Sequence, residues 1–283
     1  MKTFNRILFI LVLVYTCFSV MVLIHSLTNY PVFYPTTGKW ALVWDDDFDG
    51  TELNPTKWMP IYQSCTYDGY QANISAILRD TVTVKDGCLS LSNRGKIWRN
   101  EDGRDINILP IHYSTGSCTS GQVATGDKAA WTYGRFEIRA KIPLGMGLFS
   151  YASLYPIDGN FSQEICIMRV FGNNPYTLYL SNHWGTTRPH RYLEEDVSTR
   201  SYGPDYSAEF HTFAVEWEPG IIRWFVDDVQ LYQTVRNVPE APFSLNLGTA
   251  AGYPSDVNPK FNLNFDTWKQ PFIIDWVRIY QRR

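Results

Sequence analysis

Strict alternation is the pattern that most restricts this chain. In Tyr133-Gly-Arg-Phe-Glu-Ile-Arg-Ala-Lys-Ile-Pro143, the apolar side chains Phe136, Ile138, Ala140 and Ile142 take every second position. Successive side chains of a strand point to opposite faces, so this run buries one face and wets the other. The same period recurs in residues 210–217 and 220–230. Further strands are predicted at 41–44, 81–85, 88–93, 120–125, 148–155, 177–182, 243–248 and 273–280. Asp86-Gly87 separates two of them and is a dipeptide typical of two-residue hairpin turns. Residues 62–76, 94–116 and 185–207 read as loops. Many short alternating strands with turn signals, and no convincing amphipathic helix, argue for two packed antiparallel sheets.

The stretch Ser162-Gln-Glu-Ile-Cys-Ile-Met-Arg-Val170 carries the chemistry. Glu164 and Cys166 share one face of such a strand, and Ile165 and Ile167 share the other. Arg169 lies five positions from Glu164, which puts it on the opposite face in a regular strand. A one-residue bulge near Met168 returns Arg169 to the face of Glu164, and bulges are common beside active sites. This stretch resembles the signature strand of family 16 glycoside hydrolases, which reads E-I-D-I-M-E in the laminarinase-like branch. Four further stretches also resemble that family. They are the opening at 42–58, the strand at 133–143, the pair His211-Thr…Glu216-Trp217 and Ile222-Arg-Trp-Phe-Val-Asp-Asp228, and the last strand at 273–280.

The resemblance covers residues 42–280. It implies an all-β fold, a concanavalin-like β-jelly-roll sandwich of two antiparallel sheets with a concave glycan groove. In the family the first Glu is the nucleophile, the Asp supports it and the last Glu is the acid/base. Glu164 then stands as a relic nucleophile, with Cys166 and Arg169 at the positions of the lost Asp and acid/base Glu. Retaining glycosidases hold two carboxyl groups about 5–5.5 Å apart. A guanidinium keeps its proton at any working pH and cannot cycle it. The expected function is a catalytically inactive family 16 homologue that binds β-1,3-glucan or a related polysaccharide. Two alternatives stay open. One is an active endo-β-1,3(4)-glucanase that uses an atypical acid such as Asp158, and the other is a structural or protein-interaction domain with a vestigial groove.

The resemblance also implies a groove lining of Gln122, Phe149, Tyr155, His183, Trp184 and Asn246. Phe149 stands where the family has a sugar-contacting Trp, Ser153 replaces a second one, and Gln122 lies where laminarinase-like members usually carry Arg. No cofactor is required. A structural Ca2+ held by Asp275 is implied, because many members use the Asp of the final strand. The run Asp45-Asp-Asp47 reads as a solvated turn in preference to a cation site.

Aromatic residues make up 16% of the chain, with 10 Trp and 18 Tyr, enough both to fill a core and to line a groove with flat rings. A net charge of −3 supplies no basic field, so nucleic acid is not an expected partner. Residues 1–27 are expected to be a signal anchor or signal peptide, since residues 7–24 lack any charge and follow Lys2 and Arg6. Residues 28–39 read as an extended stalk and 40–283 as the jelly-roll domain. The chain is expected in the secretory pathway, either secreted or as a single-pass type II protein that meets the membrane through the uncleaved apolar segment. Asn73-Ile-Ser75 and Asn160-Phe-Ser162 are glycosylation sequons. Cys65, Cys88, Cys118 and Cys166 allow three pairings, and spacing does not choose among them. The fold resemblance implies Cys65–Cys118, with Cys88 and Cys166 free.

Overall fold

In the computed structural model, residues 38–61, 75–77, 81–95, 118–158, 163–185, 195–251 and 267–283 are described. Their first strands are β1 (Trp40–Asp46), β2 (Met59–Pro60), β3 (Ser75–Ile77), β4 (Val82–Lys85), β5 (Cys88–Leu91) and β6 (Asn93–Gly95). Next come β7 (Cys118–Ser120), β8 (Gln122–Ala124), β9 (Gly134–Lys141), β10 (Leu148–Pro156), β11 (Glu164–Phe171) and β12 (Asn174–Trp184). The chain closes with β13 (Glu195–Tyr202), β14 (His211–Glu218), β15 (Ile221–Val226), β16 (Val229–Thr234), β17 (Phe243–Ala251) and β18 (Phe272–Arg282).

Two large antiparallel sheets result. One runs β16-β15-β14-β9-β18-β5-β4, with β1 added on β18, and the other runs β13-β12-β11-β10-β17-β8-β2. A small third sheet, β3-β7-β6, includes a parallel pair. Residues Gly38–Arg283 form one compact unit. The predicted alternation of β9 is observed, with Phe136, Ile138 and Ala140 fully buried between the sheets. They meet Ile165, Ile167 and Val170 of β11 and Leu245 and Leu247 of β17 in the same core. Asp86 and Gly87 both take positive φ, 55° and 71°, which closes the β4–β5 hairpin as the dipeptide predicts.

Polar side chains anchor the sandwich at particular points. Asp46 accepts the indole N–H of Trp58 at 2.7 Å and the backbone N–H of Phe48 at 3.2 Å. Asp47 pairs with Arg278 at 3.3 Å. The run is therefore not the solvated turn expected of it: Asp45 and Asp46 end β1, and Asp46 is buried among protein donors.

The region predicted as a loop at 185–207 contains β13, which pairs with β12 along its whole length. Its sequence, EDVSTRSY, carries no apolar alternation, and it forms the edge of its sheet. β3 begins in the predicted loop 62–76, and β6 ends in the predicted loop 94–116. The anchor or signal segment, both sequon asparagines and Cys65 lie outside the described residues, so the Cys65–Cys118 pairing does too. Among the described residues, no helix is long and apolar enough to cross a membrane.

Candidate functional site

β11 contains the bulge that its sequence requires. Against β10, Ala152 pairs with Met168 and the next residue, Ser153, pairs with Cys166. Against β12, the ladder steps from Cys166↔Ser181 to Arg169↔Tyr179. One extra residue is thus accommodated at Ile167-Met168, and both of these side chains enter the core. The face of β11 away from the core then carries Glu164, Cys166 and Arg169. A bulge interrupts ladder pairing and leaves backbone groups to satisfy elsewhere. Here the Cys166 carbonyl accepts the indole N–H of Trp224, from the opposite sheet, at 2.9 Å.

Neighbouring strands complete the face through their registers. Arg200, Tyr179, Arg169, Tyr151, Gly248 and Gln122 follow one another across β13, β12, β11, β10, β17 and β8. The parallel row through Cys166 contains Ser181, Ser153 and Asn246. His183 is the partner of Glu164 on β12. Of the residues expected to line the groove, Gln122, Phe149, Tyr155, His183 and Asn246 belong to this face.

Trp184 does not. It follows His183 on the strand, so the two-residue period turns it the other way, in line with Leu178 and Leu180 of the core. Its ring meets the guanidinium of Arg236 at 5.6 Å. The family resemblance implied that His183 and Trp184 line the groove together, and the two-residue period puts them on opposite faces. Tyr151, Tyr179, Ser181 and Arg200 were missed. Alternation alone marks Tyr151 and Tyr179 as facing the same way as Phe149 and His183.

Glu164 is 9% exposed, and one oxygen of its carboxylate takes two donors. Ser153 Oγ donates to it at 2.7 Å, and Arg169 Nη2 donates to the same oxygen at 3.1 Å. Burial works to raise the Glu164 pKa. Arg169, His183 and hydrogen bonds from Ser153 and Tyr155 outweigh it, and the carboxyl is held below its ordinary value. Cys166 is a free thiol, pushed up to about 11 by burial, with Arg169 opposing and Glu164 adding to the rise. At neutral pH it is protonated and offers Glu164 no charge. His183 Nε2 lies 2.7 Å from Ser181 Oγ.

The chemistry available here is limited by what stands beside Glu164. Glu164 is paired with a permanent cation, and the residue two positions along is a neutral thiol. Asp158 is exposed in the turn that follows β10. Asp275, expected to hold a Ca2+, instead accepts from Arg139. Ca2+ takes about 6–8 oxygen ligands. Among the described residues, no group of three or more His, Cys, Asp or Glu side chains is placed to hold a metal ion.

Comparison with known proteins agrees with this architecture. Residues 80–277 match the profile of Glycosyl hydrolases family 16. A Beta-glucanase of Rhodothermus marinus is 30% identical over 275 residues, covering 86% of this chain and 85% of that protein. The solved laminarinase from Rhodothermus marinus superposes with a TM-score of 0.70 at 26% identity, covering 88% of this chain and 100% of that one. The catalytic domain of an endo-1,3-beta-glucanase from Thermotoga petrophila gives a TM-score of 0.71 at 25% identity, covering 87% and 100%. The sandwich, the bulged strand and these matches make the chain a member of glycosyl hydrolase family 16.

Proposed function

We propose that the chain holds a β-glucan on the outer face of its seven-stranded sheet without cleaving it. The observation that carries this reading is the contact of Arg169 with Glu164, 3.1 Å apart where a retaining glycosidase needs two carboxyl groups. Arg169 cannot hand a proton to the departing glycosidic oxygen, and an attack by Glu164 on an anomeric carbon costs it the ion pair. General acid/base assistance is worth roughly 10²–10⁴-fold, and this face supplies no carboxyl group for it at Arg169. The expected pseudoenzyme character, the secretory localisation and the glycosylation at Asn73 and Asn160 belong to the same proposal.

A second reading has its own support. The relatives carry hydrolase names, Beta-glucanase and laminarinase among them, and this favours an active endo-β-1,3(4)-glucanase with an atypical acid. Asp158, exposed beyond Pro156, is the residue that reading assigns. Calorimetric titration with laminarin, run beside a reducing-sugar assay on the same preparation, separates the two. Binding without new reducing ends is the expected result. New reducing ends in proportion to protein concentration favour the hydrolase.

A further inference from the structure

Tyr151 stands on β10 between Phe149 and Ser153, on the face opposite the buried Ala152 and Leu154. Its register partners are Arg169 on one side and Gly248 on the other. Gly248 admits the ring only because it has no Cβ. A methyl placed there would lie 2.6 Å from Cε1, Cζ and Oη of Tyr151, well inside any real contact. The outer half of the phenol therefore lies down across β17 and does not stand up from the sheet. Phe149 continues the surface, its ring centroid 6.0 Å from that of Tyr151 and tilted by 34°. The Arg169 guanidinium borders both, 6.0 Å from the Phe149 centroid.

The short polar side chains of this face lie lower. Ser153 is completely buried, Ser181 and Cys166 nearly so, and Glu164 is sealed by Ser153 and Arg169. The rings of Phe149 and Tyr151 are half-buried and more open than Glu164. The β-glucopyranose ring carries its substituents equatorially and presents flat faces of axial C–H groups, which suit an aromatic surface.

We propose that Tyr151, laid over Gly248, is the platform that carries the pyranose face of the β-glucan, above Glu164 and out of its reach. This rests on the glucan-binding reading and adds a pose to it. Affinity then comes from ring stacking on Phe149 and Tyr151, and Glu164 serves to hold Arg169 at the border of the platform.

Calorimetric titration of the full chain with laminarihexaose tests this in the wild type and in Tyr151→Ala, Tyr151→Leu and Tyr151→Phe. Loss of the ring in the Ala and Leu variants is expected to weaken binding about tenfold or more. Tyr151→Phe keeps the ring and is expected to bind as the wild type does. If circular dichroism shows the Ala variant unfolded, the Leu variant, which still fills the space over Gly248, decides. Wild-type affinity in the folded Ala or Leu variant overturns the platform, as does a Phe variant as weak as Ala. No binding by the wild type defeats the glucan reading itself, and the platform with it.

Discussion

The indole of Trp224 on β15 reaches across the sandwich to the carbonyl of Cys166 on β11, 2.9 Å away. That carbonyl sits at the start of the bulge, where the ladder to β12 skips a residue. The bulge in turn brings Arg169 onto the face of Glu164. A core tryptophan from one sheet thereby fixes the geometry of the site on the other.

Trp224→Phe removes this donor and part of a fully buried ring. A stranded carbonyl and a partial cavity together cost about 2–4 kcal/mol. Urea unfolding should show the midpoint fall at an unchanged slope.

Arg169→Met leaves Glu164 charged, buried and without its cation. Removing one partner of a buried pair costs about 3–5 kcal/mol, and this pair is 16% and 11% exposed in its side chains. The wild-type carboxyl lies below its ordinary 4.5, so its contribution is complete above that pH and fades as the pH falls further. In the variant, burial is no longer opposed by the guanidinium and the carboxyl rises. The stability gap between the two proteins should therefore be widest near neutrality and narrow on acidification. Thermal midpoints taken from pH 7 down to pH 3 check both the size and the sign.

Cys166 should resist alkylation. It is 1% exposed with a pKa near 11, whereas Cys88 is partly exposed on the other sheet. Treatment of the native protein with iodoacetamide at pH 7.5, followed by peptide mass analysis, should label Cys88 well before Cys166. Denaturant should abolish the difference.

Cys166→Asp with Arg169→Glu returns two carboxyl groups to the face of Glu164. Laminarin hydrolysis above the wild-type level is the expected gain, read as new reducing ends. The single change Cys166→Asp should yield none, because the proton donor is still missing.

Much of this fold is legible in the sequence because burial imposes a period of two. β9, β14 and β15 announce themselves through Phe136, Phe213 and Trp224, and the five-position spacing from Glu164 to Arg169 already asks for a bulge if the two are to share a face. β13 is not legible, since EDVSTRSY carries no apolar alternation and the strand is held by its ladder to β12. The contact of Tyr151 with Gly248 is hidden for a different reason. It depends on the register between β10 and β17, which lie far apart in the chain, and no local pattern encodes that pairing. The resemblance put His183 and Trp184 together in the groove, whereas the period of the strand separates them onto two faces.

The central claim, that Arg169 has converted a hydrolytic groove into one that only binds, meets its most direct test in a reducing-end time course. Purified wild-type chain is incubated with laminarin at a concentration where calorimetry shows the groove filled. Reducing ends should stay at the level of a heat-denatured control throughout. A steady release at the turnover of an ordinary glycosidase, about 1–10³ per second, would contradict it.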